Sequence, residues 1–566
     1  MTRQASIRPY LNQAYLLGLM MMAVGLTLSP FLMGMANFWL VLVWLVDGCS
    51  FNAVPEGRGI KAKLSRFWHN KAAVLLVAFY LMHVVGLLWT SDFQYAMKDL
   101  RVKLPILVLP FVLSSMPPLD RKRFNLLLNV YVLSVFVATL FSSVSYWRHD
   151  YVDVREISHF ISHIRFCLNI VFCIAVIGWR LLGASTSPSP RKARETSAPE
   201  SIEGVEGLPT KKHPVPAFGV KMSIDRYLQC FLLLWFVYQI YIFESLSGYV
   251  ALAVVIILSS VYAFLRWRQG RAWRIAVAGM ALALVAAAAL VVISEVKPLL
   301  KLETVDFNTL DQKTAQGNDY WHDTIYNPVE DGKYVGLYYC RKELQETWPT
   351  LSDHPFDGTT DTGENLEATM VRYLTSKGLR KDADGLKSLT DEDIRNIEQG
   401  VANYNNWKHP GLRARLSSTL FEYNLYRRFN NPNGGSLSQR MEFTRASFHI
   451  IRQHPWFGVG TGDVPQAFSQ AYDEIQSPLK EEFRFRAHNQ YLAIAVAFGL
   501  VGLVLFVLVL LYPWFASRKH RTYLYMVFLG IVLVSMLAED TLETQAGATL
   551  FAFFESVLLF AAPKSE

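Results

Sequence analysis

Residues 490–512 read QYLAIAVAFGLVGLVLFVLVLLY and contain no charged side chain. A helix needs about 20 consecutive apolar residues to cross the hydrocarbon core of a bilayer, so this stretch predicts a membrane-spanning helix. The pattern repeats along most of the chain, where apolar blocks of similar length alternate with short polar loops. The sequence therefore predicts an all-α polytopic membrane protein.

About twelve such blocks are present, and two of them, Asn37–Val46 and Leu104–Met116, are short for a span. The composition agrees with this prediction, because 52% of the 566 residues are hydrophobic and only 18% are charged. The predicted spans are about Ala14–Leu32, Asn37–Val46, Ala72–Trp89, Leu104–Met116, Phe124–Trp147, Ile164–Leu182, Tyr227–Phe243, Tyr249–Leu265, Arg274–Ile293, Gln490–Tyr512, Tyr523–Ala538 and Gly547–Ala562.

Polar stretches divide this chain into three parts. Residues 1–293 form the first part of the membrane domain, with helices 1–9, and 183–222 within it predict a disordered cytoplasmic linker rich in Ser, Pro, Lys and Glu. Residues 294–487 predict a large, mostly helical loop domain between helices 9 and 10. Residues 488–566 complete the membrane domain with helices 10–12.

Within the loop domain, two local signals predict helices. Thr390-Asp-Glu-Asp393 resembles a capping box that opens a helix over Ile394–Tyr404. A second helix is predicted over Gln439–Gln453, and Pro455 ends it.

The distribution of Lys and Arg predicts the orientation in the membrane. Positive charges concentrate in every second loop, at 58–71, 120–123, 180–226 and 518–521 among others. Positively charged loops stay in the cytoplasm, so both termini are predicted to be cytoplasmic and the large loop periplasmic. The net charge of +8 is explained by this topology, so we expect membrane lipids as partners and no nucleic acid.

Chemically useful residues gather where the large loop re-enters the membrane. Arg440 and Arg445 lie on the second predicted loop helix, and His488 with Asn489 directly precedes the next span. A neutral histidine can accept a proton, and guanidinium groups bind diphosphate without any metal. The pattern indicates a reaction in which a diphosphate leaves and a hydroxyl is activated, without a metal or cofactor.

Each of these residues also has a structural interpretation that the sequence leaves open. His488 could cap the helix that starts at Asn489, and Arg440 and Arg445 could be solvated charges on a helix face. The glycines of the segment at 455–462 look like a phosphate-binding loop, but no strand precedes them. We interpret that segment as a tight turn that packs at the membrane surface.

Further charges lie beside or between the spans. Arg165 and Arg101 sit at outer span ends, where each either reaches the interface or points into a cavity, and Lys103 shares this ambiguity. Glu539, Asp540 and Glu543 form an acidic turn between the last two spans. That turn could pair with the arginines or position an acceptor, although a solvated turn is the simpler interpretation.

The same residues make the chain similar to a known family. Gln439-Arg440 with Phe443, then Pro455-Trp-Phe-Gly-Val-Gly-Thr-Gly462, Ala487-His-Asn-Gln-Tyr-Leu492 and Phe498-Gly-Leu-Val-Gly502 resemble the signature of the O-antigen ligase/polymerase superfamily. The number of spans and the position of the large loop resemble that superfamily too. The resemblance implies a metal-independent, inverting glycosyltransferase of the GT-C type in the bacterial inner membrane.

The resemblance also implies substrates and roles. The donor would be a glycan on undecaprenyl diphosphate, and the acceptor a sugar hydroxyl of lipid A–core. His488 matches the family histidine proposed as general base, and Arg440 matches the arginine that contacts the diphosphate. Arg165, Arg445, Asn489 and Arg101 are further candidates for substrate binding. Many ligases carry an arginine just after the turn that here reads Glu244-Ser-Leu-Ser-Gly248, and this chain has none there.

Other functions remain open at this level. A polymerase that links repeat units on the lipid, or an enzyme that transfers the glycan to protein Ser or Thr, would use the same chemistry. The C-terminal position of the main loop favours the ligase. A transporter or flippase also has about a dozen spans, but the sequence has no inverted repeat and its loop is too large for a simple gate.

Overall fold

A computed structural model describes residues 4–49, 59–148, 154–184, 224–266, 271–433, 435–516 and 522–563. The described chain is mostly helical, with one two-stranded antiparallel sheet. Nearly all of the predicted linker at 183–222 lies outside the described residues.

Ten helices precede the large loop in the described residues. They are α1 Gln4–Leu28, α2 Pro30–Gly48, α3 Ile60–His69, α4 Lys71–Val85, α5 Phe93–Ser115, α6 Arg121–Arg148, α7 His163–Ala184, α8 Ile224–Ile242, α9 Leu246–Arg266 and α10 Arg271–Leu300.

The loop and the chain after it add a hairpin and eleven further helices to the described structure. They are β1 Val329–Glu330, β2 Lys333–Tyr334, α11 Arg341–Thr347, α12 Leu366–Lys377, α13 Ala383–Lys387, α14 Asp391–Glu398, α15 Tyr404–Lys408, α16 Leu412–Phe429, α17 Ser436–Gln453, α18 Val464–Glu474, α19 Gln490–Ala516, α20 Tyr523–Ala538 and α21 Gln545–Ser556.

Every predicted span overlaps a helix, and the chain is a multi-pass membrane protein. The first predicted span, Ala14–Leu32, ends too late, because α1 ends at Leu28 and α2 begins at Pro30. In the described residues, seven helical segments are long and apolar enough to cross a bilayer, and Tyr523–Ala538 and Gln545–Ala561 are shorter apolar helices. Helices α5, α8 and α10 lie outside this set, so the number of twelve spans stays a prediction. The seven are Pro9–Leu28, Pro30–Gly48, Lys71–Trp89, Arg121–Arg148, His163–Leu181, Leu246–Leu265 and Gln490–Ala516.

Two helices are longer than the spans that the sequence predicts within them. Asn37–Val46 is part of α2, whose first residue is Pro30 and whose N-cap is Ser29. Leu104–Met116 is the second half of α5, so the predicted start at Leu104 is wrong. The helix continues through Lys103 because this buried ammonium is neutralised by buried acidic side chains inside the fold.

Helix α19 is not one straight rod, because its backbone breaks at Gly499, with φ 64° and ψ −161°. The peptide groups freed by the break bond to the segment at 455–462: the N–H of Leu500 donates to the carbonyl of Pro455 at 2.8 Å, and that of Val459 to the carbonyl of Val496 at 3.0 Å. A Cβ at 499 would lie 2.3 Å from the carbonyl carbon of Trp456. Only glycine fits this close backbone crossing.

The predicted loop helices are present with shifted bounds. Thr390 and Asp393 form the predicted capping box, but its helix is α14, which ends at Glu398 rather than Tyr404. Gly400, with a φ of 95°, follows this earlier end. The second predicted helix is α17, which begins three residues before Gln439.

The loop segment has two cores. Residues of α11–α14 and of the 3₁₀ turn that follows α11, including Trp348 and Tyr373, form a separate hydrophobic cluster. Helices α17 and α18 instead contribute Phe443, Ile450 and Phe468 to the cluster that also contains the membrane helices. The part of the loop that carries the predicted functional arginines is therefore packed onto the membrane body.

Candidate active site

The acidic turn at 539–543 lies at the centre of a cluster of charges. Glu539 and Asp540 are buried, so the solvated interpretation of this turn is wrong. It follows the last residue of α20 and continues into a 3₁₀ turn over Thr541–Glu543. Each of its carboxylates faces a positively charged side chain, as the contacts below show.

Arg440 reaches the first carboxylate of the turn. Its Nη2 lies 2.7 Å from Oε1 of Glu539, and about a third of the arginine side chain remains exposed. The exposed edge of this guanidinium is available to a ligand that approaches from outside.

His488 lies beside the second carboxylate. Its Nδ1 is 3.6 Å from Oδ1 of Asp540, which is an ion-pair distance without a hydrogen bond. The ring packs at 5.4 Å from that of Phe443 on α17. About a third of the imidazole is exposed, so its outer edge can meet a substrate.

Asn489, rather than His488, caps α19. Its Oδ1 accepts from the N–H of Leu492 at 3.0 Å, and its Nδ2 donates to the carbonyl of Leu537 at 2.9 Å. The capping interpretation of His488 is therefore wrong. The amide of Asn489 is used for structure, and its predicted role in substrate binding has no support from these contacts.

Arg486, which the sequence analysis did not select, joins the turn to α5. Its Nε lies 2.9 Å from Oδ2 of Asp540, and its Nη1 lies 3.3 Å from Oε2 of Glu543 and 2.9 Å from the hydroxyl of Tyr95. Burial alone would lower the pKa of Arg486, but these acidic neighbours raise it above its ordinary value. This arginine fixes the carboxylate that faces His488.

Lys103 forms the floor of the cluster. Its Nζ lies 2.7 Å from Oε2 of Glu543 and also contacts Asp99, and Gln490 donates to the other oxygen of Glu543 at 3.0 Å. Burial alone would raise the pKa of Glu543, but Lys103 and Arg486 hold it well below its ordinary range. Glu543 is therefore ionised at neutral pH.

Arg165 lies in the first turn of α7, and Asp540 and Glu539 are within electrostatic range of its guanidinium without contacting it in the described structure. Its Nη1 donates to Ser162 at 2.8 Å, and its Nε has no partner in the described structure. Of the cluster's arginines, Arg165 is the one that no carboxylate contacts at ion-pair distance among the described residues.

Two predicted residues do not join the cluster. Arg445 lies about 140° around α17 from Arg440, since five residues separate them. It donates to the carbonyl of Ile475 at 3.2 Å and lies 3.7 Å from Glu442. Arg101 is exposed on α5 and has no described contact with the turn.

Two features near the cluster have the composition of a metal site and of a phosphate-binding loop. His488, Glu539 and Asp540 offer ligand atoms within 4.8 Å of one another, but arginines already neutralise both carboxylates. In the glycine segment, the N–H groups of Val459 and Gly460 bond to α19. That segment is thus a tight structural turn, as the sequence analysis interpreted it.

This arrangement defines a class of protein: a multi-pass helical membrane protein with an imidazole–carboxylate pair and several arginines at one end of its helix bundle. Such a site combines a proton acceptor with anion-binding groups.

Residues 411–507 match the family model described as O-Antigen ligase, which confirms the predicted resemblance to the O-antigen ligase/polymerase superfamily. The matched region contains Arg440, Arg486 and His488. Members of this family are glycosyltransferase-like enzymes of O-antigen processing, with lipid-linked glycans and lipid acceptors as their general substrates. A search of curated proteins finds no match to the chain.

Proposed function

We propose that the protein is an O-antigen ligase, an inverting and metal-independent glycosyltransferase of the bacterial inner membrane. It moves a glycan from undecaprenyl diphosphate to a hydroxyl of lipid A–core on the periplasmic face. The observation that carries this proposal is that His488 and Arg440 lie beside carboxylates of the same acidic turn at 539–543, with Arg165 within electrostatic range of that turn.

The imidazole supplies the base. With Nδ1 directed at Asp540, the Nε2 of His488 carries the lone pair that takes the proton of the acceptor hydroxyl. The acceptor oxygen then attacks the anomeric carbon while the bond from that carbon to the phosphate oxygen breaks. The electron pair leaves with the lipid diphosphate, and this single displacement inverts the anomeric centre.

The arginines stabilise the departing charge. Arg440 offers its exposed edge, and Arg165 offers a guanidinium without a carboxylate partner in the described structure. Arg165 is our candidate for the role of the arginine that is missing after Glu244.

Purified protein with a lipid-linked glycan and lipid A–core tests the proposal. We expect His488→Ala to lower the transfer rate by about 10²–10⁴, the usual range for loss of a general base. His449→Ala is the matched control, because His449 pairs with Glu474 on the loop surface away from the turn. Unchanged transfer in His488→Ala would contradict the assigned base, and added chelator should not change the wild-type rate.

The closest alternative is a polymerase, and the products distinguish the two. Transfer of intact long chains to lipid A–core indicates a ligase, whereas elongation of the lipid-linked chain without any other acceptor indicates a polymerase. Modified Ser or Thr in a protein acceptor would indicate an O-oligosaccharyltransferase.

A further inference from the structure

A small cavity lies beneath the charged cluster, between α4, α5 and α19. Its volume is about 20 Å³, which is enough for one water molecule. Apolar residues such as Val464, Phe468 and Phe498 form part of its wall. The polar residues that line it are His83, Tyr95, Asp99, Lys103, Thr461, Arg486 and Glu543.

His83 leaves one acceptor unused in this wall. Its Nδ1 lies 2.9 Å from the carbonyl of Phe79, and a carbonyl can only accept, so Nδ1 carries the ring proton. The Nε2 of the neutral ring is then an acceptor, and it has no partner in the described structure. The side chain is only 1% exposed, so bulk water does not reach it.

Two donors on the other side of the cavity are also unused among the described contacts. Lys103 has three N–H groups, and only Asp99 and Glu543 accept from them. The hydroxyl of Tyr95 accepts from Arg486, and its own proton has no described acceptor. His83 thus lacks a donor on one side of the cavity, and Lys103 and Tyr95 lack an acceptor on the other side.

The charges of the wall decide which ligand fits. A cation would be repelled by Lys103 and Arg486, and an anion would be repelled by Asp99 and Glu543. A purely apolar cavity can stay empty, but a cavity with unsatisfied donors and acceptors holds water. A neutral molecule that both donates and accepts is what these groups require.

We infer that this cavity is a binding site for a single ordered water. The water donates to Nε2 of His83 and accepts from Lys103 or Tyr95. It thereby joins α4 to the pair formed by Lys103 and Glu543, which holds Arg486 under the candidate active site. His83 is a positioning residue that acts through this water.

A map of the full-length protein at a resolution that shows ordered waters tests the inference without relying on any activity. We expect one water-sized feature within hydrogen-bond distance of Nε2 of His83 and of either Nζ of Lys103 or the hydroxyl of Tyr95. His83→Phe keeps an aromatic ring at this position but removes the acceptor nitrogen, so the water density should disappear and the melting temperature should fall. His83→Gln places an amide where Nε2 was, so it should keep the water.

Three outcomes would overturn the inference. They are an empty cavity in the wild type, an unchanged feature in the map of His83→Phe, and equal melting temperatures for His83→Phe and the wild type. Should His83→Phe fail to fold, the wild-type map and His83→Gln still decide the question.

Discussion

The charged pairs of the large loop and those of the acidic turn differ in how completely their hydrogen-bonding groups are satisfied. In the loop, Arg372 contacts both oxygens of Glu330 at 2.8 Å and stacks 4.2 Å from the ring of Phe421. Asn403 also donates to the carboxylate of Glu330. At the turn, Arg440 contacts only one oxygen of Glu539 and stays about a third exposed, and Arg165 has no carboxylate at ion-pair distance in the described structure. Complete pairs hold a fold together, whereas incomplete ones keep bonding capacity for a ligand.

The largest effect should come from the buried pair that supports the turn. Glu543→Gln leaves Lys103 and Arg486 facing each other without their shared carboxylate. Breaking a buried pair costs about 3–5 kcal/mol, so we expect a large fall in the free energy of unfolding together with loss of transfer. Thermal unfolding in detergent measures the first effect, and the glycan-transfer assay measures the second.

A triple variant serves as the control for that prediction. Lys103→Met with Asp99→Asn and Glu543→Gln removes the ammonium together with both carboxylates that contact it, and should recover part of the lost stability. If the triple variant is less stable than Glu543→Gln alone, the three charges are not coupled as the contacts indicate.

The second prediction concerns the complete pair of the loop. Arg372→Met should lower the stability of the loop by about 2 kcal/mol, less than a fully buried pair would, because Arg372 is partly exposed. Transfer per folded molecule should not change, since Arg372 lies outside the acidic turn. Hydrogen exchange of α12 measures the stability change, and a proportional loss of transfer would contradict the comparison.

The sequence predicts the helices better than their ends. The apolar runs each overlap a helix of the structure, because a bilayer requires about 20 apolar residues of any helix that crosses it. They fail at α5, where Lys103 enters the helix interior because Glu543, more than four hundred residues away, neutralises it. They also miss the break at Gly499, which depends on a backbone crossing with Trp456.

For the candidate site, the sequence identifies several of the residues but not which side chains meet. Arg440 and His488 lie beside the acidic turn and Arg165 lies within electrostatic range of it, whereas Arg101, Arg445 and Asn489 contact none of its side chains in the described structure. The helical spacing of Arg440 and Arg445 already placed them on different faces, and this signal was available. The pairing of Arg486 with Asp540 was not, because it needs two distant loops to meet.

The third prediction tests the incomplete pairs directly. Glu539 neutralises Arg440, so a diphosphate must compete with this carboxylate for the guanidinium. We expect Glu539→Gln to tighten binding of undecaprenyl diphosphate by up to about tenfold, or about 1.4 kcal/mol, in a calorimetric titration. Glu474→Gln, which alters an exposed carboxylate away from the turn, is the matched control. Weaker binding in Glu539→Gln would mean that Glu539 orients Arg440 instead.

The smallest effect should come from Lys381, a buried lysine of the loop that differs from the complete charged pairs described above. Its Nζ donates to the carbonyl of Leu337 at 2.7 Å, and no carboxylate lies at ion-pair distance in the described structure. Burial, and next the charge of Lys333, lower the pKa of Lys381 to about 8. Between pH 8 and the ordinary lysine pKa of about 10.4, the unfolded chain binds the extra proton, so stability rises with pH.

This rise should be about 1 kcal/mol between pH 8 and pH 9, measured as the difference in unfolding free energy between the wild type and Lys381→Met. The variant removes the titrating group and keeps much of the side-chain volume, so other groups that titrate in this range cancel in the difference. A flat difference would show that Lys381 finds a charged partner in solution. Lys381 would then join the complete pairs of the loop, and the contrast with the acidic turn would become sharper.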